Sequence, residues 1–171
     1  MDASIRRAFV AALVALALAV PFTASAQSAL KVSLTAHRVA VDARGRESLQ
    51  PAAEAKPGET VEYRAAYRNS GIAPVGEVQA TLPIPDGTEY VARTARPAPA
   101  LASLDGRTFE PLPLKRRVRL ANGTEAVREV PVAEYRYLRW TLGSIDAGRA
   151  ETVSARVRLS PLTAAVASAR R

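Results

Sequence analysis

The chain has 171 residues, with 24 Lys and Arg against 16 Asp and Glu, a formal net charge of +8 and no cysteine. The missing thiols exclude disulfides, thiolate metal sites, a cysteine nucleophile and a lipid-modified cysteine. The excess charge is almost all arginine and is dispersed along the chain. It favours acidic surfaces such as anionic lipid, lipopolysaccharide or acidic polysaccharide over nucleic acid, with a solvated arginine-rich surface as the plainer alternative.

Residues 1–26 read as a secretory signal peptide. Arg6 and Arg7 give a basic start, residues 8–20 form an uncharged apolar run, and Ala24-Ser25-Ala26 is an Ala-x-Ala cleavage pattern. That run is shorter than the roughly 20 residues needed to cross a bilayer, so it argues against a membrane anchor, and no later stretch is apolar enough to be a transmembrane segment. The expectation is cleavage after Ala26 and export through the inner membrane. The periplasm is the first destination considered, with secretion or the cell surface as alternatives. Residues 27–160 are then long enough to close one core as a single domain, and packing has to supply the stability that small exported domains often take from disulfides.

From Leu30 onward apolar residues alternate with period two, the pattern of half-buried strands. Leu30, Val32, Leu34 and Ala36 share one parity and Val39 and Val41 the other, which predicts a bulge or a change of sheet near His37 and Arg38. Residues 45–56 are polar and irregular. Pro57-Gly58-Glu59 turns into the clearest strand, residues 60–69, where Val61, Tyr63, Ala65 and Tyr67 alternate with charged residues. Val78, Ala80 and Leu82 mark the next strand, closed by Pro83-Ile84-Pro85, and a short one covers residues 88–94. Residues 96–113, rich in proline and alanine, read as a long connection with at most a short strand near Phe109. Asn122-Gly123 between residues 114–120 and 124–130 signals a hairpin. Strands are further expected over residues 135–142, with Leu138, Trp140 and Leu142 on one face, and over residues 152–159, with Val153, Ala155, Val157 and Leu159 inward. Residues 161–171 form an expected flexible basic tail. No internal repeat is present, and the pattern predicts an all-β antiparallel β-sandwich.

Lys56-Pro57-Gly58-Glu59-Thr60-Val61-Glu62-Tyr63, followed by Asn69-Ser70-Gly71, resembles the opening of DUF11 domains. Pro85-Asp86-Gly87-Thr88-Glu89-Tyr90 and Trp140-Thr141-Leu142-Gly143, with Ala147-Gly148, are similar to later segments of that family, so the resemblance covers about residues 56–159. The hairpin over residues 114–130 looks like an insertion, and Thr81 stands where many members carry aspartate. The resemblance implies an immunoglobulin-like β-sandwich of bacterial surface or secreted proteins, with no enzymatic activity assigned to the module and no active-site residues to carry over.

The residues give little support for catalysis. His37 is the only histidine, so neither a Ser/His/Asp triad nor a zinc site has its usual partners, and it reads as a rim residue. Glu59, Glu62, Glu77, Glu89, Glu125 and Glu129 fall on predicted solvent faces or turns near arginines, as ion-pair partners. Asp42, Asp86, Asp105 and Asp146 lack calcium-loop spacing, and no glycine-rich phosphate loop is present. Tyr63, Tyr67, Tyr90 and Trp140 read as core more than as a binding platform. Neither cofactor nor metal is expected.

One local feature suggests binding. Pairing across Asn122-Gly123 would set Val118 opposite Val127 and Arg116 opposite Glu129, leaving Lys115, Arg117, Arg119 and Arg128 convergent on the other face. Such a finger could meet an anionic envelope partner, or serve as a self-repelling edge that blocks strand addition. The expected function is a non-enzymatic structural or protein-interaction module of the cell envelope, partnered by another envelope or surface protein. The alternative is an anion-binding factor using the hairpin on lipopolysaccharide, anionic lipid or acidic polysaccharide, and a hydrolase with an unrecognised site is a distant third. Nucleic acid is not an expected partner, because no aromatic side chains interleave the cations.

Overall fold

A computed structural model describes residues 29–161. The expected signal peptide, residues 1–26, and the tail beyond Pro161 lie outside the described residues. In chain order the strands are β1 (Leu30–Val41), β2 (Glu47–Pro51), β3 (Thr60–Asn69), β4 (Val75–Pro83), β5 (Thr88–Tyr90), β6 (Leu101–Ser103), β7 (Glu110–Pro111), β8 (Lys115–Arg119), β9 (Glu125–Glu129), β10 (Tyr137–Ile145) and β11 (Ala150–Leu159). One sheet runs β2-β1-β3-β11-β5 and a second β4-β10-β6-β7, while β8 and β9 form a two-stranded sheet of their own among the described residues. All pairings are antiparallel, and the two larger sheets enclose one core in a sandwich-like arrangement.

Alternation decides what is buried. Val61, Ala65 and Tyr67 of β3 and Val153, Ala155 and Val157 of β11 face Val78, Ala80 and Leu82 of β4 and Leu138 and Trp140 of β10. Each large apolar side chain taken fully from water adds about 1.5–3 kcal/mol, offset by the entropy of ordering it. Polar links fix how the sheets face each other. The Tyr67 hydroxyl lies against the backbone of Thr81, which places β3 over β4, and the Asn69 amide reaches Ile145 in β10. Trp140 Nε1 donates to the carbonyl oxygen of Pro97 at 2.9 Å, so its one polar atom is satisfied although the residue is buried.

Several elements differ from the sequence-based expectation. The register between β1 and β3 runs unbroken from Leu30 opposite Asn69 to Arg38 opposite Val61, so the bulge expected near His37 is absent. At His37 and Arg38 the strand instead gains a second partner, β2, and Val39 then lies beside Leu49 on the outer face. The apolar parity changes there without a buried face behind it, since Val41 is 63% and Leu49 37% exposed. Bulges occur in the other sheet, where the β4 and β10 register jumps at Gly143, beside Glu77 at φ 55° and Gly143 at φ 72°. Leu142 is therefore only half-buried. Residues 45–56 contain β2, the region 96–113 contains β6 as well as β7, and β5 ends at Tyr90.

Candidate functional site

The hairpin is rooted in the core and projects from it. Leu114 and Val130 are buried at its base, where Val130 N–H donates to the Leu114 carbonyl oxygen at 2.8 Å and Leu114 N–H donates to the Tyr135 hydroxyl at 2.9 Å. Arg116 ties one side to the following turn through a bidentate pair with Glu134, at 2.7 and 2.9 Å.

The register inside the hairpin departs from the expected one by a residue. Gly123 N–H donates to the Leu120 carbonyl oxygen and Leu120 N–H to that of Thr124, so the loop has three residues, Ala121-Asn122-Gly123, with Gly123 at φ 82°. Val118 consequently pairs with Ala126 instead of Val127, and Arg116 pairs with Arg128 instead of Glu129. A slip of one residue moves a side chain to the opposite face. Lys115, Arg117 and Arg119 share a face with Glu129, Val127 and Glu125, while Arg128 lies on the other face beside Arg116. The four cations do not converge, and two of them are opposed by carboxylates.

Other sequence candidates fall into structural roles. His37 is half-buried on the outer face of the larger sheet, and no cluster of three or more potential metal-ligating side chains occurs among the described residues. Glu62 is buried on that outer face beneath two guanidinium groups, with Arg64 Nε at 2.7 Å and Arg156 Nε at 2.9 Å. Arg156 also grips Glu47 of β2 at 2.9 and 2.7 Å, and Arg38 bridges Glu59 and Gln50. Burial pushes the Glu62 carboxyl up, but the hydrogen bonds from Arg64 and Arg156 outweigh it and hold the group below the usual carboxylate value. Ion pairing is thus the role of Glu59 and Glu62, whereas Glu77, Glu89, Glu125 and Glu129 have no ion-pair partner among the described residues. Tyr67, Tyr90 and Trp140 are core residues, and Tyr90 stacks on Tyr135 with ring centroids 6.0 Å apart.

Two features were not foreseen from sequence. A pocket of about 590 Å³ opens at the hairpin root, between the loop after β5 and the prolines before β8. The second feature is a mismatch of sheet width. Because β3 lies over the edge strand β4, its neighbour β1 overhangs the smaller sheet. Val32 and Leu34 pair with Tyr67 and Ala65 and point to the same inner face, yet they are 57% and 56% exposed while their partners are buried. The alternation of β1 signalled an apolar face, but nothing in a linear pattern says that the opposite sheet ends one strand short. A comparison with family models, curated protein sequences and solved structures finds no match.

Proposed function

We propose that the chain is an exported, non-enzymatic interaction module of the bacterial cell envelope, an immunoglobulin-like sandwich of the DUF11 kind that docks on another envelope or surface protein. The observation that carries this is the overhang. β1 leaves Val32 and Leu34 exposed on an inner face, and beside them β4 presents a strand edge with no neighbour among the described residues. An apolar strip beside unpaired backbone donors and acceptors suits a partner that adds area and main-chain hydrogen bonds together. The DUF11-like motif residues have structural work consistent with the resemblance. Asn69 is fully buried and organises the Ser70-Gly71 loop, and Trp140 sits in the core.

The test is a recovery from envelope extract with residues 27–171, beside a Val32→Asp/Leu34→Asp variant shown to be folded. A defined protein retained by the parent and lost by the variant supports the proposal. Equal recovery by both forms, or turnover of an ester or glycoside panel, would overturn it.

A further inference from the structure

The loop between β5 and the Arg96–Ser154 bridge is tied down at almost every polar group. Tyr90 OH accepts from Ala95 N–H at 3.2 Å, Thr94 Oγ1 donates to the Val91 carbonyl oxygen at 2.6 Å and accepts from Arg156 N–H at 3.0 Å, and Arg96 Nη1 donates to the carbonyl oxygens of Arg93 and Ala95, both at 2.9 Å. One group is left over. Arg93 has its backbone at φ 65°, a left-handed conformation that glycine or asparagine adopts with less strain, and its exposed guanidinium has no partner among the described residues. A loop held by these hydrogen bonds thus brings a cation with no partner among the described residues to the lining of the 590 Å³ pocket.

Apart from Arg93, Arg96 and Glu129, the pocket wall is largely apolar. Ala98, Pro99, Leu112 and Val130 line it, and the stacked rings of Tyr90 and Tyr135 lie beneath with both hydroxyls already engaged by backbone N–H groups. The one carboxylate at the rim, Glu129, lies directly across the hairpin from Lys115. Arg93 and Arg96 both line the pocket and outnumber that carboxylate, which leaves the arginine side as the cationic end. The volume falls in the range of small-molecule sites, roughly 300–1,000 Å³. We infer that this pocket binds a ligand with an apolar chain and a single carboxylate head, the chain lying against the proline and tyrosine wall and the head on Arg93.

The experiment titrates the isotopically labelled chain with decanoate, decanol or decyltrimethylammonium, reading the methyl resonances of Ala98, Ala100 and Val130. The same titrations use Arg93→Asn, which suits the left-handed backbone, and Arg93→Gly as a second variant, each checked by its unfolding midpoint. Decanoate is expected to bind about tenfold more tightly than decanol, the size of one charge-assisted contact. Either folded variant is expected to remove that difference while leaving decanol unchanged. Equal affinities for decanoate and decanol, a carboxylate preference that survives both substitutions, tighter binding of the cationic probe, or no shift at the pocket methyls would each overturn the inference.

Discussion

Asn69 Nδ2 donates to the carbonyl oxygen of Ile145 at 2.9 Å, joining the last residue of β3 to the last residue of β10 across the interior of the sandwich. The same amide donates to the Ala73 carbonyl oxygen at 2.8 Å, and Oδ1 accepts from Gly71 N–H at 2.9 Å. A fully buried side chain thus satisfies three backbone groups. Replacing it with alanine leaves those groups unpaired, at a cost of about 2–4 kcal/mol in urea unfolding. Asn69→Asp is expected to be no better, because a carboxylate cannot donate to two carbonyls. A loss under about 0.5 kcal/mol for both variants would show that water replaces the side chain.

The Glu62 cluster predicts acid sensitivity of a definite sign. Its folded-state carboxyl titrates below the ordinary value of 4.5, so the folded state holds the charged form more strongly than the unfolded chain does. Its contribution is therefore complete above about pH 4.5 and is lost as the pH falls through the folded value. Glu47, lowered by its hydrogen bonds to Arg156, titrates in the same direction. Glu62→Gln should lower stability at neutral pH and flatten the decline of the unfolding midpoint below pH 4.5. Parallel declines for parent and variant would remove Glu62 as the source.

The three-residue hairpin loop makes a local prediction. Gly123 sits at φ 82° with open space around the position of a Cβ, so Gly123→Ala meets backbone strain without a clash and should cost about 1 kcal/mol. Gly76 is equally unobstructed but has no positive φ, and Gly76→Ala should be neutral or slightly stabilising. Cross-strand nuclear Overhauser effects should join Val118 to Ala126. Contacts joining Val118 to Val127 would restore the two-residue loop and the convergent cations.

The strands with a full alternation were legible in the sequence, and the relations between strands were not. Residues 60–69 showed β3 because Val61, Ala65 and Tyr67 meet core on one side while Arg64 and Arg68 meet solvent on the other. β2 and β6 were hidden because Glu47–Pro51 carries one apolar side chain suited to a strand, Leu49, and Leu101–Ser103 is too short to display a period. Asn122-Gly123 announced a turn, but the same dipeptide closes two-residue and three-residue loops, so the register was open and the cationic face was misplaced with it. Arg93 carries no sequence signal at all, since its importance lies in a φ angle and a missing partner.

The overhang of β1 separates two kinds of apolar residue that the sequence could not distinguish. Leu138 has no exposure, and Leu138→Ala leaves a cavity between packed sheets, with an expected loss of about 2–5 kcal/mol. Leu34 is 56% exposed on a face with no strand opposite among the described residues, so Leu34→Ser removes little buried area and should cost less than about 1 kcal/mol. Urea unfolding at several protein concentrations checks both losses. If Leu34→Ser costs as much as Leu138→Ala, or if the parent's midpoint rises with concentration and the variant's does not, the face is already covered in solution by another copy. A small, concentration-independent loss leaves Val32 and Leu34 free to meet a different partner, as the proposed interaction requires.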